Sequence, residues 1–191
     1  MAIHPQLPNV ITIVRIPLAV IFFVILLIAG PFGGPHLGLR VVAAVLFIIA
    51  ISTDWVDGYL ARKYSIVSDF GKLWDPIADK LLTGLAFVGL AILAEMPWWM
   101  VIVILVREWG ITLHRVLVRK THVVAAAWMG KVKTAVQGVA LSWALLPLHP
   151  VIGFDAWALI TLVLMWIVVV LTIASGIDYI IAQVRGAKKT S

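Results

Sequence analysis

The 191-residue chain has no cysteine, which excludes disulfides and thiolate metal sites while leaving the cellular compartment open. Charge is scarce as well. Asp, Glu, Lys and Arg together make up 13% of the residues, about half of the ~25% usual in soluble domains. Internal repeats, low-complexity tracts and long polar linkers are missing, so nothing separates one domain from another. The five histidines show no metal-ligand spacing, which argues against a histidine-zinc catalyst. A net charge of +6 comes with no RNA- or DNA-binding motif, and no nucleic-acid partner is expected.

Apolar sequence fills the space that charge leaves. Hydrophobic residues account for 63% of the chain and the mean hydropathy is +1.09, values that belong to a bilayer rather than to water. A crossing helix needs roughly 20 apolar residues, and such runs occur near 10–30, 37–61, 72–94, 97–118, 132–148 and 156–183. The expectation is an all-α integral membrane protein of about six transmembrane helices, with residues 1–191 forming a single domain. The first run is expected to be retained as a helix rather than to serve as a secretory signal. Arg15 interrupts it, no basic cluster precedes it and five further runs follow.

Basic residues set the predicted orientation, because cytoplasmic flanks are enriched in Lys and Arg. With six crossings, one side receives Arg15, the 62–72 loop, the 119–131 connection with Arg119, Lys120 and Lys131, and the tail with Arg185, Lys188 and Lys189. The other side receives only Arg40. Both termini are therefore expected in the cytoplasm, and the basic excess suits anionic headgroups of membrane lipids.

Five of the nine acidic residues lie within 26 positions of this apolar chain, and four of them, Asp54, Asp57, Asp75 and Asp79, fall into a regular pattern. Crowded carboxylates in a poorly hydrated place resist ionisation unless a cation offsets them, and oxygen donors suit Mg²⁺ or its like. Asp54, Asp57, Gly58 and Ala61 stand at i, i+3, i+4 and i+7, one stripe of a helix; Gly71, Asp75 and Asp79 repeat at i, i+4 and i+8. A polar connection over 63–70 would make the two helices antiparallel neighbours, their acidic stripes facing at the cytoplasmic end. Gly58 and Ala61 taken alone suit ordinary close helix packing. Arg62, Lys63, Lys72 and Lys80 match the four acids in number but are too scattered to neutralise all of them on one face.

Written out, the segment reads D-x2-D-G-x2-A-R-x8-G-x3-D-x3-D with every spacing intact. It resembles the signature of the CDP-alcohol phosphotransferases, and the size and six-run pattern of the remaining chain are similar to that family's. The resemblance implies the CDP-alcohol phosphotransferase fold with a cytoplasm-facing active site, and an enzyme that moves a phosphatidyl group from CDP-diacylglycerol to an alcohol and releases CMP. By the same resemblance Asp54, Asp57 and Asp75 hold metal, two Mg²⁺ or Mn²⁺ ions per site, while Asp79 is the general base and a ligand of the second ion. Gly58, Ala61, Arg62, Ser68 and Gly71 would lie near the CDP moiety, with Ser68 in the variable part of the motif. Asn9, Thr12 and Arg15 would help enclose the same group, although Asn9 also suits a plain helix cap. The resemblance further implies a homodimer in the bacterial cytoplasmic membrane.

The acceptor would be recognised elsewhere. Arg107 and Arg115 share a helical face, and Lys131, Lys133, Thr134 and Gln137 open the following run. Arg107 needs a partner inside a membrane, and Glu108, one residue on, does not share its helical face. A bound anion would serve, so Arg107, Arg115, Lys131 and Lys133 are candidate ligands of an acceptor phosphate, whereas Arg119 and Lys120 suit topology anchoring. The segments L-P-N-V-I-T-I-V-R, R-E-W-G-I-T and W-M-G-K-V-K-T-A-V-Q resemble the phosphatidylglycerophosphate-forming branch of the family, whose acceptor is sn-glycerol 3-phosphate. An inositol phosphate or phosphatidylglycerol is the alternative acceptor within the family. A divalent-cation transporter is the alternative from another class, but it should spread polar residues through the bilayer, and the outer halves of these runs are nearly free of charge. Trp98, Trp99 and Trp157 are expected in an aromatic belt at the outer interface.

Overall fold

Hydrocarbon offers no partner for a backbone N–H or C=O, so a chain this apolar has to satisfy them locally, and it does so with helices. The computed structural model describes the backbone of residues 7–34, 36–64, 69–118 and 128–188, and the side chains of those residues except 7–13, 54–64, 69–76, 79, 115–118 and 185–188. Among the described residues there is no strand. The helices are α1 (Leu7–Ala29), α2 (Leu37–Tyr64), α3 (Asp69–Ile92), α4 (Trp98–Val118), α5 (Trp128–Leu145), the single turn α6 (His149–Ile152) and α7 (Phe154–Lys188), with a 3₁₀ turn at Pro31–Gly33. Six of these have 18 residues or more, one for each apolar run. By length and composition alone, one helix among the described residues, over Phe154–Val184, qualifies to cross a membrane.

The chain forms two compact units, Met1–Met96 with Leu145–Pro147, and Pro97–Ala144 with Leu148–Ser191. In the first, α1 packs on α2 and α3. Phe22 and Phe47 meet with ring centroids 5.5 Å apart, and Ala19, Ala43, Ala44 and Ala86 are fully buried around them, small residues that let helix backbones approach. At Gly89 the approach is closest: a Cβ there would fall 2.7 Å from Leu26 Cδ2.

One ion pair fixes an end of this unit. Arg40 donates from Nη1 to Glu95 Oε1 at 2.8 Å and from Nη2 to Glu95 Oε2 at 2.6 Å, while its Nε donates to the Leu145 carbonyl at 3.0 Å. The Phe32 N–H adds a bond to Glu95 Oε1 at 2.8 Å, made possible by a turn in which Phe32 has φ 55° and Gly33 φ 85°. Such a two-pronged pair is the geometry in which a buried guanidinium is best satisfied. Since the start of α2 thereby lies beside the end of α3, and the two helices touch, they run antiparallel, as the sequence predicts. The opposite ends of the two helices carry the aspartates; Asp54 is 14 residues along α2 from Arg40, about 21 Å at the α-helical rise.

In the second unit α7 packs against α4 and α6. Met165, Val168, Thr172, Ser175 and Tyr179 on α7 are buried, while Leu162, Val163, Val170 and Ile173 are exposed. That helix is apolar all round, as a membrane segment is. Trp98 and Trp99 are half-exposed, in keeping with an interfacial belt. Trp157 is set differently. It is buried, its ring against His149 and Phe154, because the turn at α6 folds the His149 ring over it.

Candidate active site

The signature is laid on two continuous helices. The run from Asp54 through Arg62 lies inside α2, which continues to Tyr64, and Gly71, Asp75 and Asp79 lie inside α3, which begins at Asp69. The i, i+3, i+4, i+7 and i, i+4, i+8 spacings are therefore realised as helical stripes. The connection between them is shorter than the 63–70 expected, since helix occupies all but 65–68. The side chains of Asp54, Asp57, Gly58, Ala61, Arg62, Gly71, Asp75 and Asp79 lie outside the described residues, as do those of Asn9, Thr12 and Arg115, and Ser68 lies outside them altogether. Of the candidate CDP-binding residues, Arg15 is described: it sits on α1 in the same unit, 4% exposed. A guanidinium so deep in an apolar helix unit has to be served by other groups.

The donor set fits the implied metal. Four carboxylates supply hard oxygen ligands of the kind that Mg²⁺ and Mn²⁺ take, and no thiolate competes in a chain without cysteine.

The second unit holds a separate buried polar cluster. Glu108 Oε1 accepts from Arg107 Nη1 at 3.0 Å and from Lys133 Nζ. Arg107 Nη2 donates to Ser175 Oγ on α7 at 2.9 Å, and Ser175 Oγ donates in turn to the Leu171 carbonyl. Lys133 is 1% exposed and Glu108 3%. The premise that Glu108 could not serve Arg107 is thus corrected. Adjacent positions on a helix point about 100° apart, but the Arg107 side chain is long enough to swing its guanidinium across that angle. Lys131, by contrast, is exposed. Sequence reasoning missed Glu108 and Ser175 as parts of this cluster. The available signal was a buried acid flanked by basic residues on two helices. Nearby, His114 Nδ1 and the Tyr179 hydroxyl are hydrogen-bonded at 2.8 Å, joining α4 to α7, and Gln183 Nε2 donates to the same hydroxyl at 3.1 Å.

Comparison with known proteins decides the family. The model of the CDP-alcohol phosphatidyltransferases matches residues 5–174. The chain belongs to that family. It is 43% identical over 183 residues to the CDP-diacylglycerol--glycerol-3-phosphate 3-phosphatidyltransferase of Bacillus subtilis (strain 168), covering 91% of this chain and 93% of the relative. A probable phosphatidylglycerophosphate synthase of Mycobacterium tuberculosis (strain ATCC 25618 / H37Rv) is 40% identical over 180 residues, 94% of this chain and 82% of the relative. The Rickettsia bellii (strain RML369-C) CDP-diacylglycerol--glycerol-3-phosphate 3-phosphatidyltransferase is 35% identical over 182 residues, 94% and 96% respectively. As a CDP-alcohol phosphatidyltransferase the protein is a membrane-associated enzyme, and the cation-transport alternative falls away.

Proposed function

We propose that the protein transfers the phosphatidyl group of CDP-diacylglycerol to sn-glycerol 3-phosphate, giving phosphatidylglycerophosphate and CMP, a step of anionic phospholipid synthesis. The observation that carries this reading is likeness along nearly the whole chain, at 35–43% identity, to relatives whose names specify that donor and acceptor. The unbroken signature on α2 and α3 supports it from the chemical side.

Asp54, Asp57, Asp75 and Asp79 would hold two Mg²⁺ or Mn²⁺ ions, which when bound offset the negative charge of the donor's pyrophosphate and of the departing CMP. Asp79 takes the proton of the acceptor hydroxyl as its oxygen bonds to the lipid-side phosphorus. The bond from that phosphorus to the CMP oxygen breaks, and CMP leaves with the electron pair. Arg62 and Arg15 offer guanidinium groups to phosphate oxygens of the donor, while Gly58, Ala61 and Gly71 keep the helix faces low enough for it to approach; Asn9, Thr12 and Ser68 complete its enclosure. Arg107, Arg115, Lys131 and Lys133 provide positive charge for the acceptor's phosphate. The enzyme works as a homodimer, spanning the bacterial cytoplasmic membrane several times with its site on the cytoplasmic side, as the family resemblance and the bias of basic residues support.

Purified protein supplied with CDP-diacylglycerol, Mg²⁺ or Mn²⁺ and a panel of alcohols should release CMP efficiently with glycerol 3-phosphate. Efficient release with inositol phosphate or phosphatidylglycerol instead would overturn the acceptor, and no release with any alcohol would overturn the reaction.

A further inference from the structure

Glu108 has no place in the signature and is not a ligand of either substrate in the reading above, yet one of its oxygens holds two cations from two helices. Arg107 Nη1 on α4 and Lys133 Nζ on α5 both donate to Oε1, which draws the two positive groups together inside the unit. Two like charges converging in a desolvated place repel unless a carboxylate lies between them. Arg107 is steadied further by Ser175, and Gly176 leaves room for its stem: a Cβ there would lie 3.4 Å from Arg107 Cγ.

A second observation separates this cluster from a self-contained ion pair. Buried polar atoms are nearly always hydrogen-bonded, but Arg107 Nε, Gln137 Oε1 and Thr172 Oγ1 are buried with no such partner among the described residues. Gln137 is 3% exposed and Thr172 fully buried. Gln137 lies one turn beyond Lys133 on α5, and Thr172 lies three residues before Ser175 on α7, so both share the faces that carry the cluster. The protein has thus placed donors and acceptors here that its own side chains leave unused.

We infer that Glu108 is a positioning residue for acceptor binding: its carboxylate holds Arg107 and Lys133 in convergence so that the pair can engage the phosphate of the acceptor alcohol. This rests on the acceptor-phosphate role given above to Arg107 and Lys133. Glu108 touches neither substrate and acts through the two cations.

Glu108→Gln keeps the shape and removes the charge; Glu108→Asp keeps the charge and withdraws it by one methylene. The test is steady-state CMP release in detergent, with KM measured for glycerol 3-phosphate and for CDP-diacylglycerol, alongside thermal unfolding of each variant. Glu108→Gln should raise the glycerol 3-phosphate KM at least tenfold with the CDP-diacylglycerol KM within twofold of wild type, and Glu108→Asp should recover most of the loss. An unchanged acceptor KM, or equal increases in both KM values, would overturn the inference. Should Glu108→Gln fail to fold, Glu108→Asp decides by the same ratio, and failure of both to fold makes Glu108 a purely structural residue and overturns it as well. Wild-type enzyme that turns over only a different phosphorylated alcohol defeats the acceptor reading alone, and the KM comparison made with that alcohol still decides on Glu108.

Discussion

Asp79 differs from the other three signature aspartates in the role proposed for it, and a single-atom change separates the two tasks. Asparagine preserves the shape and one oxygen donor but cannot accept a proton at neutral pH. Since a positioned general base contributes roughly 10²–10⁴-fold, Asp79→Asn should lower kcat by about that factor, with the CDP-diacylglycerol KM within a few-fold of wild type. Titration of activity with Mn²⁺ checks the division of labour: a loss of metal affinity as large as that of Asp75→Asn would make Asp79 chiefly a ligand. At this scale the signature was legible, because its meaning lies in residue type and spacing. Glu108 was not. Helical-wheel reasoning assigns directions to Cβ atoms and says nothing of the reach of an arginine, and it left Arg107 looking for an external anion when a carboxylate of its own helix was available. The burial of Trp157 was hidden for a related reason, since the hydropathy pattern does not reveal that the turn after α5 brings His149 over its ring.

At the scale of elements, apolar runs located all six long helices, but the ends followed other rules. The fifth run begins at 132, yet α5 starts at Trp128, because Gly130 and Lys131 interrupt hydropathy without interrupting backbone hydrogen bonding. The last run ends at 183 while α7 continues to Lys188, its final turns carrying polar residues. The short turns at Pro31 and Pro150 left no apolar signature at all. The Arg40–Glu95 pair, joining residues 55 apart, is equally invisible to local pattern, although it ties the α1–α2 turn, the end of α3 and the Leu145 carbonyl together. With the two side chains 1% and 3% exposed, removing either partner strands a buried charge, which costs about 3–5 kcal/mol. Arg40→Met and Glu95→Met should each lower the midpoint of thermal unfolding in detergent, and the double variant should fall by clearly less than the sum, since the second change removes the stranded charge. Additive losses would show that the two residues act independently.

At the scale of the whole molecule, the missing cysteine becomes an experimental handle. Any cysteine introduced is the only thiol in the chain, so its reaction with a membrane-impermeant maleimide reports one position without background. The proposed topology, drawn from the excess of Lys and Arg, puts both termini in the cytoplasm, and the one basic residue it puts on the opposite side, Arg40, is tied to Glu95. Gly38, the second residue of α2, is exposed, with open space where a Cβ would be, so Gly38→Cys tolerates the side chain and the label. Between it and Ser191 lie α2, α3, α4, α5 and α7. Under the proposed topology all five cross, an odd number, which puts the two positions on opposite sides. Gly38→Cys should label in intact cells, and Ser191→Cys only after permeabilisation. Labelling of both from outside would mean an even number of crossings between them and would remove at least one of the five helices from the set that spans. The reverse pattern would keep the count and invert the protein, carrying the aspartate-bearing ends of α2 and α3 away from the cytoplasm, where the proposed acceptor, a charged phosphate that does not cross a bilayer unaided, is made available to them.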